Sequence, residues 1–112
     1  MSTRFGVVAV DDAASPGTAT VLVTVEDASL QDASSTRVAE TTLEAVRIDG
    51  GTSIPFSIEV GDVPVDAIVR VHVDFDGDGI LAEGDLLTVQ SIPVEVLGTD
   101  AASAGVVPVR VI

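Results

Sequence analysis

The 112-residue sequence contains no cysteine, lysine, tryptophan or tyrosine. The absence of cysteine excludes disulfides, thiolate metal sites and lipid attachment through a cysteine. Because lysine is absent, five arginines stand against 18 acidic residues, and the net charge of −13 disfavours binding to nucleic acid or to an anionic membrane. The absence of tryptophan and tyrosine removes the exposed aromatic rings on which carbohydrate-binding domains rely.

Long apolar runs are missing as well, so the sequence predicts no membrane span. Residues 1–10 lack the basic region and the long apolar stretch of a signal peptide. Two interpretations are open at this point: the protein is cytoplasmic, or a leader was removed from it.

The residues that are present favour a single β domain. Hydrophobic residues make up 46% of the chain and aromatic residues only 3%, so small aliphatic side chains must build the core, with Phe5, Phe56 and Phe75 as its few large members. Apolar and polar residues alternate along seven predicted strands, at residues 5–10, 19–26, 37–43, 54–60, 68–75, 87–96 and 106–111. We therefore predict that residues 1–112 form one all-β domain, an immunoglobulin-like or transthyretin-like β-sandwich of about seven strands.

The alternation also assigns faces to the predicted strands. Alternate valines of 21–25 point one way, and a second inward row runs through 69–75 and ends at Phe75. Arg70 and His72 share the opposite face of that second strand. The only histidine is therefore predicted to be a surface or sheet-face residue and not a catalytic one.

The segment 74–85, DFDGDGILAEGD, carries oxygen-bearing side chains at the spacing of a calcium-binding loop. Calcium takes six to eight hard oxygen ligands at ~2.3 to 2.6 Å, and alternate residues of a tightly wound loop can present them together. Glycine at the sixth position of the loop permits the sharp turn that this winding needs. The predicted ligands are four carboxylates and one backbone carbonyl: Asp74, Asp76, Asp78, Asp85 and, through its carbonyl oxygen, Ile80.

The same segment can also be interpreted as an acidic turn that binds no metal and accepts hydrogen bonds from its own backbone. Repulsion among its carboxylates, about 1 kcal/mol per exposed pair, disfavours the empty loop. Asp85 stands where calcium loops usually carry glutamate, as in dockerin modules, whose calcium loops this segment resembles. Dockerins carry two such loops between helices, whereas this loop occurs once between predicted strands, so the resemblance does not extend to cohesin binding. Whether the calcium would be structural or regulatory stays open.

Residues 23–34, VTVEDASLQDAS, resemble the first hairpin of the YbaY/YscW family of type III secretion lipoprotein chaperones, or pilotins. Residues 54–60, IPFSIEV, resemble the Pro-Phe strand of that family, and residues 67–75 its central strand. The resemblance implies a small β-sandwich outside the cytoplasm. It also implies a lipoprotein leader with a cysteine, which this sequence lacks.

Paired acids could in principle serve general acid and base chemistry, as Asp11 with Asp12 or Asp62 with Asp66. Adjacent residues of a strand point to opposite faces, so Asp11 and Asp12 would not converge there. Solvated charge is the simpler interpretation of both pairs, and we predict that the protein is not an enzyme.

The predicted function is a non-enzymatic, calcium-binding β-sandwich with a structural or chaperone-like role in binding a protein partner. The calcium loop favours an extracellular or periplasmic location, because calcium is millimolar there. The alternative is an accessory or carbohydrate-binding domain of a larger secreted protein. An exposed sheet edge could also pair two copies of the chain as a homodimer.

Overall fold

The computed structural model describes residues 2–27, 36–61, 67–77, 80, 82–88 and 92–112. Eight strands lie within these ranges: β1 Ser2–Val10, β2 Gly17–Asp27, β3 Thr36–Ile48, β4 Ser53–Val60, β5 Ala67–Asp74, β6 Leu86–Leu87, β7 Ile92–Pro93 and β8 Gly105–Val111. The only helical segments among the described residues are two 3₁₀ turns, Val94–Val96 and Ala101–Ser103. The predicted all-β class is confirmed.

The strands form one sheet in the order β3-β2-β5-β6-β8-β1-β4, and β7 pairs with β5 beside this path. Its two end strands, β3 and β4, are consecutive in the chain and joined by residues 49–52. The sheet therefore bends around until its ends come near each other and forms a nearly closed, barrel-like structure. The two-layer sandwich stays a prediction.

Strand β8 joins the two halves of this sheet. It runs parallel to β1, from Gly6 opposite Gly105 to Val10 opposite Val109. Its far end pairs antiparallel with β6, where Leu86 lies opposite Val111. Because β6 also pairs with β5, β8 connects the β1–β4 pair to the remaining strands.

The core consists of the inward rows of alternating residues. Val21, Val23 and Val25 of β2 are fully buried, as the alternation predicted. The predicted row on β5 is confirmed for its valines, but Phe75 lies beyond the end of the strand and is only half-buried. Of the three phenylalanines, Phe56 alone is fully buried among the core residues. Aliphatic side chains thus supply nearly all of the buried apolar area. Each Å² of apolar surface removed from water stabilises the folded state by about 25 cal/mol.

The predicted strand over 87–96 is interrupted in the structure, whereas β1 and β3 are longer than predicted. The sequence pattern over 87–96 predicts a continuous strand, but the described part of this segment contains the short β6, the short β7 and a 3₁₀ turn. Pro93 lacks the amide hydrogen that a longer ladder would use. The turn that follows is closed by a hydrogen bond of 3.0 Å from Leu97 N to Val94 O, and it buries both side chains in the core.

Glycines allow the backbone to pack closely where this turn meets β1 and β8. Phe5 and Gly98 exchange two backbone hydrogen bonds of 2.9 Å each. A Cβ atom added at Gly98 would overlap the carbonyl group of Ser103, and one at Gly105 would overlap that of Val96. Both obstacles are backbone atoms, so neither can move aside by changing a rotamer.

We expect Gly105→Ala to lower the free energy of unfolding by about 1 to 3 kcal/mol, because the added methyl group would push two backbone segments apart. Gly61→Ala is the matched control, since a Cβ at Gly61 meets no atom within 4 Å. We expect the control to stay within about 0.5 kcal/mol of the wild type. Urea unfolding followed by circular dichroism measures both, and equal losses in the two variants would contradict the close-packing argument.

Candidate metal centre

Two aspartates at the ends of the 74–85 segment are buried. Asp74 is the last residue of β5, and Asp85 directly precedes β6. Their exposed fractions are only 3% and 2%. Carboxylates are almost never fully buried without polar partners, so we expect specific hydrogen bonds or ion pairs at both positions.

Asp85 lies against His72 of the neighbouring strand. The pairing of β5 with β6 sets His72 opposite Leu87, so the residue just before β6 reaches the imidazole ring. His72 Nε2 is 2.9 Å from Asp85 Oδ2, and the two side chains are 13% and 3% exposed. The sheet-face position predicted for His72 is thus correct, but the ring is largely covered by the returning loop.

Backbone amides of the loop complete the surroundings of Asp85. Phe75 N donates to Asp85 Oδ1 at 3.3 Å, and Ala82 N donates to Asp85 Oδ2 at 3.1 Å. With the His72 contact, this one carboxylate therefore connects β5, the loop and β6. Hydrogen bonds to a carboxylate are among the stronger ones in proteins, so this arrangement holds the start of β6 in place.

Asp74 organises the first turn of the loop. Its Oδ1 accepts hydrogen bonds from Asp76 N and Gly77 N, both at 3.0 Å. This is an Asx-type turn, in which an aspartate side chain replaces a backbone acceptor. Gly77 has a φ of 70°, a left-handed conformation that glycine adopts without steric cost.

These contacts bring three metal-binding side chains together. One potential ligand atom from each of His72, Asp74 and Asp85 lies within 4.8 Å of the others, and this is the one such group among the described residues. An open cavity of about 220 Å³, lined in part by Asp76 and Asp85, adjoins the group. Carboxylate oxygens suit calcium, whereas an imidazole nitrogen is a typical ligand of zinc, copper and nickel.

The structure brings only some of the predicted calcium ligands together. Asp74 and Asp85 come together, while Asp76 is exposed and not a member of the three-residue group. Ile80 is 67% exposed, and Asp78 lies outside the described residues. The complete five-residue ligand set therefore stays a prediction.

The sequence interpretation missed the role of His72. A usable signal was present, because residues 72 and 74 are two apart on a strand and so share a face. The return of Asp85 to that same face depends on the pairing of β5 with β6, which joins residues separated by the whole loop.

Of the acidic pairs considered for catalysis, Asp11 and Asp12 do not form a comparable group. Asp11 Oδ1 accepts from Ala13 N at 3.1 Å, which closes a turn, and its neighbour Asp12 is exposed. Asp62 and Asp66 lie outside the described residues.

We expect Asp85→Asn to lower the free energy of unfolding by about 1 to 3 kcal/mol, because an amide cannot accept at both of its terminal atoms as the carboxylate does. Glu83→Gln is the matched control, since Glu83 is an exposed acid of the same loop. Denaturant unfolding in a chelating buffer isolates the protein contacts from any bound ion. A loss as large for Glu83→Gln would mean that the effect is one of overall charge.

Comparison with known proteins yields one informative likeness. A scan against protein-family models finds no match, and a search of curated proteins finds none. The solved structure of an alternative pilotin from the type II secretion system of Vibrio cholerae is similar, with a TM-score of 0.63 and 22% sequence identity, over 98% of this chain and 94% of that one. Within the described residues no helix is of the length and hydrophobicity needed to cross a membrane. The chain thus has a secretion-pilotin-like all-β fold.

Proposed function

We propose that this protein is a non-enzymatic, chaperone-like domain that binds a protein partner in a periplasmic or extracellular setting. The observation that carries the proposal is the likeness of fold to a type II secretion pilotin over nearly the whole chain. The sequence resemblance to the YbaY/YscW secretion chaperones supports the same class of function, since it rests on residues 23–34, 54–60 and 67–75 and not on backbone shape.

We further propose that calcium stabilises the end of the domain formed by the 74–85 loop. Two buried carboxylates, Asp74 and Asp85, support this, because they would already be close together when an ion arrives. Asp76, Asp78 and the carbonyl oxygen of Ile80 would supply further oxygens. His72 would act by donating a hydrogen bond to Asp85 and so orienting it, since imidazole is a poor ligand for calcium.

The calcium proposal predicts a change in stability. In millimolar calcium, the wild-type protein should gain about 2 to 4 kcal/mol of unfolding free energy over the same protein in excess chelator, because only the folded state assembles the ligands. Asp74→Asn should abolish this gain, and Glu59→Gln, an exposed acid on β4, should retain it. Thermal unfolding with calcium, magnesium and zinc in parallel measures the effect.

The outcomes separate the possible ions. Stabilisation by calcium but not by zinc would support the oxygen-ligand site. Stabilisation by zinc alone would assign the group to a metal that His72 binds directly, and a melting temperature unchanged by every ion would argue against any metal.

The partner proposal is tested in the organism that carries the gene. A variant with a photo-crosslinking amino acid at an exposed position such as Val38 should form a specific adduct with a protein of the cell envelope. The adduct partner, purified separately, should bind the domain in a defined stoichiometry by isothermal titration. Recovery of no adduct from surface positions all around the domain would count against a protein-binding role.

A further inference from the structure

An open groove separates the two end strands of the sheet. We call it the seam; it has a volume of about 370 Å³, within the ordinary range for ligand-binding pockets. Three strands contribute its walls: Phe5 from β1, Thr41 and Leu43 from β3, and Pro55, Phe56 and Ser57 from β4. The seam is where the barrel-like sheet does not close.

Strand β3 borders the seam with one side of its backbone. It pairs with β2 and stands at the end of the strand order, so among the described residues no strand pairs with its other side. A terminal strand presents amide and carbonyl groups that can pair with an added strand. β3 spans Thr36–Ile48, thirteen residues, and is the longest strand described.

The apolar side chains of β3 are incompletely covered. Ala39, Leu43 and Val46 point toward the core but are only half-buried, whereas the inward valines of the adjacent β2 are fully buried. Of these three, Leu43 lines the seam, together with Phe5 and Phe56. An occupant with apolar side chains at alternate positions would remove this surface from water.

The charge around the seam selects the kind of occupant. Glu40 and Glu44 of β3 and Glu59 of β4 are exposed, and neither 38–44 nor 53–60 contains a basic residue. β3 carries two arginines: Arg37 directly precedes this segment, and Arg47 lies 3.7 Å from Asp49 in an exposed ion pair. A second copy of the chain would bring the same acids and another net charge of −13 to the interface, so the charge disfavours a homodimer here.

We propose that the seam binds a basic, extended segment of the protein partner, which adds to the edge of β3 as a further strand. This inference rests on the proposed function, because it names the surface and the chemistry by which that partner is recognised. Alternate apolar side chains of the segment would enter the groove beside Leu43 and Phe5. The intervening lysines or arginines would face Glu40 and Glu44.

Two bulges limit the length of the added strand. The pairing of β3 with β2 shifts register between Leu43 and Val46, where Ala45 has a φ of 54°, and again between Arg37 and Ala39. Such bulges break the regular pattern of outward hydrogen-bonding groups. Within the segment 38–44 the pairing is therefore regular over 39–43, which suits a partner strand of about five residues.

The test uses a synthetic eight-residue peptide of alternating valine and lysine, with an alternating valine and glutamate peptide as the control ligand. The lysine peptide should bind the wild-type domain in isothermal titration, and the glutamate peptide should not. Amide hydrogen exchange should show new protection within 38–44. Glu40→Lys combined with Glu44→Lys should weaken binding about tenfold or more, since positive charges at both positions would repel the lysine peptide.

Two controls keep the test specific. Asp12→Lys combined with Glu95→Lys changes the net charge equally at exposed positions away from the seam, and it should bind the peptide nearly as well as the wild type. Ser57→Trp fills the groove without altering charge and should also weaken binding, whereas Thr99→Trp, at another exposed position, should not. Circular dichroism of each variant verifies that it folds.

Equal binding by both charge-reversal variants, or protection outside 38–44, would overturn the inference. So would a concentration-dependent dimer of the domain that protects 38–44 without any peptide. If the crosslinked cellular partner binds the seam variants as tightly as the wild type, the proposed function stands and this inference fails. Absence of any cellular partner would instead refute the proposed function.

Discussion

The fold depends on one constraint: within the described residues no α-helix covers the inner face of the sheet, so the sheet must largely cover itself. Alternating valines and isoleucines make that face apolar, and an apolar face left in water would forfeit the main favourable term in folding. When the sheet curls, side chains from different parts of its inner face pack against one another, so no layer of helices is needed to cover them. Small β-branched side chains suit this geometry, because the interior of a tightly curled sheet has little room for aromatic rings.

Polar burial is concentrated where the bending leaves an end of the sheet open. Among the described residues, Asp74 and Asp85 are the two buried carboxylates, and they stand at the two ends of the segment that carries the chain from β5 to β6. Phe75 of this loop packs against the core, whereas Ile80 is 67% exposed. Hydrogen bonds from His72 and from backbone amides to Asp85 add to that packing in holding the loop's described residues in place. The same two carboxylates are the ones that the calcium proposal uses as ligands.

Alternation directly reports which side chains are buried, and it predicts β2, β4 and β5 to within two residues at either end. The predicted strand 37–43 falls short of β3, the longest strand described, which continues past the bulge at Ala45 to Ile48. The near closure of the sheet and the joining role of β8 are not visible in it, since they depend on pairings such as that of Val8 with Val107, far apart in the chain. The candidate site divides in the same way: Asp74 and Asp85 follow from local spacing, while the contribution of His72 requires knowledge of which strand lies beside the loop.

The position of β8 has a consequence for how the molecule folds. Its partner β1 lies about a hundred residues earlier in the sequence, and every other described strand lies between the two in chain order. Bringing them together requires closure of nearly the whole chain as a loop, which is entropically costly and characteristic of slowly folding β proteins. Until β8 docks, the β1–β4 pair and the remaining strands are two separate half-sheets with apolar faces open to water. The sheet topology therefore predicts slow folding for a domain of this size, with the pairing of β8 and β1 as its most demanding step.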